Sequence, residues 1–149
     1  MRFFDIFKGR EQNGESTYNE LTAYAQKMCV AAIEYADGFN KKLDYSEKSI
    51  DDLEEILDWY SKDIAISKPT ENQIWSMALI FGSYLGETLL KNCLSLKSFN
   101  WGKEPTSSIP LLIGNNGAYL TPIEKVYKRL VNGSEDSVVS FYRFASSVM

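Results

Sequence analysis

Apolar residues recur at helical spacing near the start of the chain. Within residues 17–37 they fall on one helix face, at Leu21, Ala25, Met28, Ala32 and Tyr35. Thr17 and Glu20 have the spacing of a capping box, which predicts that the helix begins at Thr17. Gly38 is of the type that commonly follows a helix, so we expect the helix to end near Asp37.

A second helix is predicted after a short connection. Its apolar face consists of Ile50, Leu53, Ile56, Leu57 and Tyr60. Ser46 is a favourable N-cap residue, so we expect the helix to begin just after it. The apolar spacing ends near Lys62, which predicts the end of this helix.

Residues 70–98 are apolar on nearly every side, which is typical of a helix buried at the centre of a domain. Thr70 and Gln73 form a further capping box and predict its start. Gly82 and Gly86 lie on one stripe of this helix, together with Trp75, Leu79 and Leu90. Because a glycine inside a helix costs up to about 1 kcal/mol, we expect these two to let a neighbouring element approach closely.

The same segment does not have the composition of a membrane span. Residues 74–90 include Ser76, Ser83 and Glu87, and an acid at the bilayer centre costs about 2.5 to 3.5 kcal/mol on insertion scales. The apolar run after Arg2 is too short for a secretory signal. We therefore expect a cytoplasmic protein without a transmembrane segment.

The hydrophobic pattern changes after residue 98, where short apolar runs are separated by Gly, Pro, Ser and Asn. Runs at 99–101, 109–113 and 118–120 predict three strands. Asn115, Asn116 and Gly117 lie between the last two runs and predict a hairpin turn, because Asn and Gly tolerate a positive φ. A small antiparallel sheet is expected here.

Two more helices complete the predicted fold. Thr121 and Pro122 predict a helix that continues through Leu130 and is closed by Asn132 and Gly133. Ser134 predicts the cap of a last helix, whose inward face consists of Val138, Phe141, Tyr142 and Ala145. The predicted class is α+β: a helix-rich single domain around a long central apolar helix, with a small antiparallel β-sheet in the second half.

Composition supports one folded domain. The chain has 149 residues, of which 44% are hydrophobic and 24% charged, as in ordinary globular proteins. We assign residues 1–16 to an N-terminal tail and linker and residues 17–149 to the globular domain.

The tail combines apolar and basic residues, namely Arg2, Phe3, Phe4, Ile6, Phe7, Lys8 and Arg10. It is either a loosely attached terminus or a segment that docks on a membrane or a partner.

The charge and the missing residue types exclude several classes of function. The net charge of −4 argues against nucleic-acid binding, which needs clustered Lys and Arg. The chain contains no His, no phosphate-binding glycine loop and no recognisable nucleophile arrangement, and we expect neither a metal nor a cofactor. Cys29 and Cys93 fall within predicted helices, where we expect two buried thiols in preference to a disulfide.

Three segments of the chain are informative when they are taken together. The first contains Leu43, Asp44, Tyr45, Ser46, Ser49, Leu53 and Glu54. The second comprises residues 82–87 followed by Trp101, and the third comprises Pro122, Lys125, Val126, Lys128 and Arg129, residues 132–137, Phe141 and Tyr142. In this order they resemble a family of small uncharacterised bacterial proteins known as a domain of unknown function. The resemblance covers roughly residues 39–142 and implies a compact α+β fold. It implies no activity, because none is established for the family.

The strongest charge feature is the second helix. Residues 47–63 contain seven Asp or Glu residues against Lys48 and Lys62, which leaves −5 on this element. Such a surface attracts basic partners, although a merely solvated helix face has the same pattern. We hypothesise a non-catalytic protein-interaction domain, an immunity-type inhibitor or an adaptor, whose basic protein partner contacts Asp51, Asp52, Glu55, Asp58 and Trp59.

An alternative hypothesis places a small-molecule or enzymatic site in a cleft around the central helix. Its residues would be Tyr84, Glu87, Trp101, Lys125 and Arg129, because a buried carboxylate can act as a general acid or base. The competing structural interpretation of Glu87 is an ion pair with Lys91, Lys125 or Arg129. A deep pocket uniting these side chains would favour the enzyme, and a convex acidic face without one would favour the interaction domain. The oligomeric state is not predicted.

Overall fold

The computed structural model describes residues 14–93 and 96–148. The helices are α1 (Gly14–Asp37), α2 (Ser49–Ser67), α3 (Glu71–Asn92), α4 (Pro122–Asn132) and α5 (Val138–Val148), with a 3-10 turn at Ser134–Asp136 before α5. The strands are β1 (Asn100–Gly102), β2 (Leu111–Ile113) and β3 (Tyr119–Leu120). They form an antiparallel sheet in the order β1-β2-β3. The predicted α+β class is confirmed.

Helix α3 is the centre of the molecule, as its all-round hydrophobicity predicted. Residues 81–89 are buried without interruption, and α3 packs against α1 on one side and α4 on another. The predicted capping box is present, because Thr70 Oγ1 accepts from the Gln73 amide and the Gln73 side chain accepts from the Thr70 amide. The helix ends at Asn92, earlier than the predicted residue 98, because Cys93 adopts an extended backbone.

None of the helices in the described ranges is both long enough and apolar enough to cross a membrane. The predicted tail residues, from Arg2 to Arg10, lie outside the described residues.

Gly82 and Gly86 are the closest approach points between α3 and its neighbours. A Cβ at Gly82 would lie 2.4 Å from the Ile123 Cα at the start of α4. A Cβ at Gly86 would lie 2.5 Å from Cζ2 of Trp101 in β1. Both distances are far shorter than ordinary van der Waals contact. The predicted packing role of these glycines is confirmed.

Two helix ends differ from the sequence prediction. Helix α1 already includes residues 14–16, so Thr17 lies within the helix and the predicted start at Thr17 is wrong. Its end at Asp37 is confirmed, but Asn40 with φ of 55° takes the left-handed conformation, in place of Gly38. Helix α2 continues to Ser67, five residues beyond Lys62, and stops where Lys68 turns left-handed with φ of 48°.

Neither serine that was predicted as an N-cap is at the N-cap position, since α2 begins after Lys48, which makes no side-chain capping hydrogen bond, and Ser134 lies in the 3-10 turn. Ser46 Oγ accepts from the Ser49 amide at 3.1 Å, which stabilises the turn that leads into α2. The predicted cap Ser134 belongs instead to the 3-10 turn, and Ser137 Oγ accepts from the Ser140 amide at 3.3 Å at the start of α5. Thr121 precedes Pro122 as predicted, but its side chain makes no capping hydrogen bond.

The hairpin between β2 and β3 is a tight turn followed by one left-handed residue. The Gly117 amide donates to the Gly114 carbonyl at 3.1 Å, and the Gly114 amide donates to the Ala118 carbonyl at 2.8 Å. Gly117 has φ of 84°, whereas Asn116 does not take a positive φ. The hairpin is therefore confirmed at the predicted residues, with Gly117 alone as its left-handed position.

Gly117→Val should destabilise the protein by about 1 to 2 kcal/mol, because a β-branched residue resists a positive φ. A Cβ at Gly117 meets nothing within 4 Å, so the whole loss should come from the backbone. Urea denaturation measures it, and Gly117→Asn is the matched control because Asn tolerates this conformation better. Equal stability of the Val and Asn variants would contradict a left-handed Gly117.

Candidate functional site

The predicted interaction residues lie along the outward part of α2. We call Asp51, Asp52, Glu55 and Trp59 the α2 surface. Asp52, Glu55 and Trp59 follow one another at spacings of three and four residues, so they form one stripe of the helix. Ile66 is 82% exposed two turns beyond Trp59 and continues this stripe.

Trp59 combines two features on this surface, because its side chain is partly exposed and its ring packs against other aromatic rings. It is 52% exposed, yet its ring contacts Phe39 at 5.4 Å and Tyr60 at 5.3 Å between centroids, both edge-on. Tyr60 in turn contacts Phe81 of the central helix at 5.9 Å. Edge-to-face aromatic packing of this kind fixes ring orientation. The indole is therefore held in place while half of its surface stays open to solvent.

The carboxylates of α2 are less free than the sequence indicated. Lys41 pairs with Glu55 and lies 3.8 Å from Asp52. Asp58 Oδ2 lies 2.8 Å from the Lys62 Nζ. Asp51 is exposed and has no ion-pair partner among the described residues. The folded surface is thus less negative than the helix sequence, and Asp51 is its unpaired charge.

Asp58 also contacts a buried arginine behind the α2 surface, although the Asp58 side chain itself is 42% exposed. Arg129 of α4 is only 1% exposed and donates from Nε to Glu54 at 2.7 Å and from Nη2 to Asp58 at 2.9 Å. Glu54 accepts in addition from the Val138 amide at 2.9 Å, so one carboxylate connects α2, α4 and α5. Burial lowers the pKa of Arg129, but the hydrogen bonds to Asp58 and Glu54 outweigh this and raise it above its usual value. Hydrogen bonds from Lys62 and Arg129 lower the pKa of Asp58.

The residues of the alternative cleft make separate contacts within the described parts of the chain. Tyr84 is fully buried, and its hydroxyl lies 2.6 Å from the Ser49 Oγ and accepts from the Tyr45 amide at 2.8 Å. Lys125 pairs with Asp136 at 3.0 Å, and Arg129 faces α2 as described. Within this group, a hydrogen bond joins Glu87 and Trp101.

Glu87 is a buried carboxylate bound by an indole. It is 6% exposed, and its Oε2 accepts from the Trp101 Nε1 at 2.9 Å. The predicted ion pair is wrong within the described chain, because Lys125 and Arg129 pair elsewhere and the Lys91 Nζ lies 4.8 Å from the centre of the Tyr45 ring. The contact joins the middle of α3 to β1, next to the close approach at Gly86.

Glu87→Gln should therefore change the free energy of unfolding by less than about 1 kcal/mol, because an amide oxygen still accepts from Trp101 and no cation loses its partner. Trp101→Phe should cost about 2 to 4 kcal/mol, because it removes buried volume and leaves the carboxylate without its donor. Chemical denaturation at neutral pH compares the two variants. A loss for Glu87→Gln as large as that for Trp101→Phe would show that the charge of Glu87 is required.

The two cysteines are buried free thiols, as predicted. Burial, with the nearby charge of Glu87, raises the pKa of Cys29 to about 12, so this thiol is not a nucleophile at neutral pH. No group of three His, Cys, Asp or Glu side chains in the described ranges is arranged to hold a metal ion.

Sequence reasoning missed a groove between α4 and the β1–β2 connection. Its volume is 570 Å³. Its lining includes Trp75 of α3 and Tyr127 of α4, whose rings stack at 4.0 Å with an angle of 9°. Sequence spacing had assigned Trp75 to a core stripe, and Tyr127 carried no signal that distinguished it from a surface residue.

No protein-family model, curated protein or solved structure matches this chain.

Proposed function

We propose that this protein is a non-catalytic protein-interaction domain, of the immunity-inhibitor or adaptor type, that binds a basic protein through the α2 surface. The observation that carries the proposal is Trp59, half exposed and yet fixed by the rings of Phe39 and Tyr60. An ordered, exposed tryptophan is the residue type most often found at the energetic centre of protein interfaces. It loses little conformational entropy on binding because its orientation is already set.

The charges around Trp59 support a basic partner. Asp51 is unpaired in the described chain, and Asp52 and Glu55 share Lys41. Exposed pairs of this kind are weak, about 0 to 1 kcal/mol, so a cation from a partner can compete for these carboxylates. Electrostatic complementarity of this kind acts mainly on the association rate.

The resemblance to a family of small bacterial proteins and a cytoplasmic location belong to the same proposal. We do not propose the alternative enzymatic cleft, because Tyr84 and Trp101 are committed to buried hydrogen bonds and Lys125 is ion-paired. An interaction domain needs no such cleft.

Affinity capture from a lysate of the source organism tests the proposal with matched variants. The parent protein should retain a basic protein at low salt and release it at high salt. Asp51→Lys with Glu55→Lys should prevent retention, and so should Trp59→Ala. Asp58 is left unchanged, because its reversal would break the contact with Arg129.

The control carries Glu34→Lys and Glu135→Lys, two exposed positions outside the α2 surface with the same change in net charge. It should retain the partner. Once the partner is purified, the double reversal should slow association by about tenfold or more, measured by surface plasmon resonance. If the control also loses binding, the effect comes from the overall charge of the protein. If all variants bind as the parent does, α2 is not part of the interface.

A further inference from the structure

The groove beside α4 combines an aromatic floor with carboxylates on both of the segments that enclose it. We call it the α4 groove and define it by Trp75, Tyr127, Ile109, Val131, Glu104 and Glu124. It shares no residue with the α2 surface. Arg129 points from α4 towards α2, whereas Glu124, Tyr127 and Val131 repeat at spacings of three and four on a different side of the same helix.

The aromatic part of the groove lining consists of two rings that stack on each other. Trp75 and Tyr127 lie nearly parallel at 4.0 Å. The Tyr127 hydroxyl lies 2.9 and 2.8 Å from the two oxygens of the Glu71 carboxylate, which fixes the phenol in its plane. A pre-ordered aromatic surface of this kind needs little reorganisation when a ligand stacks on it.

The charged residues in the lining of the groove are two glutamates and one lysine, namely Glu104, Glu124 and Lys128. Glu104 comes from the β1–β2 connection, is exposed, and has no ion-pair partner in the part of the chain that the structure describes. Glu124 comes from α4 and lies 3.4 Å from Lys128, with both side chains about half exposed. The lining therefore carries two carboxylates against Lys128, and outside the lining the Glu71 carboxylate contacts the Tyr127 hydroxyl.

We propose that the α4 groove binds an arginine side chain from a basic segment of a protein partner. A guanidinium is flat and stacks on aromatic faces, and its fork of N–H donors matches carboxylates. Its apolar stem fits against Ile109 and Val131. A lysine ammonium offers the charge without the flat face, so arginine is the better match. The groove is a second recognition site, independent of the α2 surface.

A peptide titration of the full chain, followed by ¹⁵N-resolved NMR, tests the proposal. The probe is an acetylated, amidated Gly-Arg-Gly-Arg-Gly peptide, and the matched control peptide has citrulline in place of arginine. Citrulline keeps the shape and removes the charge. The arginine peptide should shift the Trp75 indole signal and the Val131 amide signal saturably, and citrulline or lysine in its place should weaken binding by about tenfold or more.

Variants of the protein locate the site. Glu104→Gln and Glu124→Gln should each weaken binding of the arginine peptide several-fold, while Glu34→Gln on α1 removes the same charge outside the groove and should leave it unchanged. Trp59→Ala should also leave it unchanged, so failure of this proposal and failure of the α2 proposal are distinguishable. Two results would overturn arginine recognition in the groove. One is equal binding of the citrulline peptide, and the other is a set of peptide-induced chemical-shift changes that is the same in the parent and in the glutamate variants.

The chain itself carries Arg2, Lys8 and Arg10. A variant with all three replaced by glutamine should show the same groove signals as the parent before peptide is added. If those signals move and the added peptide then binds more tightly, the occupant is the chain's own N-terminal segment, which overturns the proposal of a partner.

Discussion

Replacing Gly82 by alanine is expected to lower the free energy of unfolding by about 2 to 4 kcal/mol. The added Cβ would lie 2.4 Å from the Ile123 Cα and 3.0 Å from the Ile123 amide nitrogen. These are backbone atoms at the start of α4, so the neighbour cannot yield by changing a rotamer. Helix α4 must move away from α3, which opens the close contact between the two helices at Gly82.

The sign of the change in the free energy of unfolding shows whether packing or helix propensity dominates at this position. Alanine is favoured over glycine in a helix by about 1 kcal/mol, so propensity alone predicts a more stable protein. Urea denaturation of the parent and the variant decides between the two. Gly38→Ala makes the same change outside the helices and away from α4: Gly38 is exposed, and its Cβ would meet the Tyr35 carbonyl at 3.3 Å, a tight contact but a longer one than at Gly82. A Gly82→Ala protein as stable as the parent would mean that the helices are further apart than described.

Arg129→Met should destabilise the protein by about 2 to 3 kcal/mol, because it removes the buried guanidinium and its hydrogen bonds to Glu54 and Asp58, two carboxylates that stay partly exposed to water. Glu54 would keep only the Val138 amide as donor, and Asp58 would keep only Lys62. Methionine fills part of the same volume, so the loss reports mainly on the charge and its hydrogen bonds. Thermal or urea unfolding measures it.

Two further variants show what Arg129 contributes. Arg129→Lys keeps the charge but cannot bridge Glu54 and Asp58 with separate nitrogens, so it should lose an intermediate amount. Lys62→Met removes an exposed partner of Asp58 and should cost less than about 1 kcal/mol. A well-packed apolar residue sometimes replaces a buried ion pair without loss, and a fully stable Arg129→Met protein would place this cluster in that class.

Local signals in the sequence predicted the elements well where the cause was itself local. The capping box at Thr70, the two glycines on the α3 stripe and the Gly117 turn each follow from chemistry within a few residues. Helix ends were less predictable. Helix α2 continues to Ser67 although its apolar spacing fades near Lys62, because a helix once formed adds further residues at little cost.

Pairings between distant residues could not be predicted in the same way. Arg129 and Glu87 were expected to be within reach of each other, but Arg129 contacts Glu54, 75 residues earlier in the chain. Its position beside Leu130 on the buried side of α4 does indicate a buried arginine, which requires some carboxylate partner. Which carboxylate it takes depends on how α2 packs on α4, and sequence spacing does not contain that information.

The two candidate sites differ in the same way, since one lies on a single helix and the other is formed by several segments. Trp59 could be named as a candidate contact residue from the sequence because acidic residues adjoin it on the same helix. The α4 groove could not, since its lining comes from α3, the β1–β2 connection, the sheet and α4. Only the packing of these segments places Trp75 against Tyr127.

Because both thiols are buried, the rate at which each reacts measures how often the structure around it opens. A thiol reagent reacts with the thiolate and needs access to it, so Cys29 in the middle of α1 reacts only when that helix separates from α3. Cys93, just beyond the end of α3, reports on a different region. Labelling rates of the unmodified chain therefore give two opening free energies. If Cys93 reacts well before Cys29, the end of α3 opens while the contact between α1 and α3 persists.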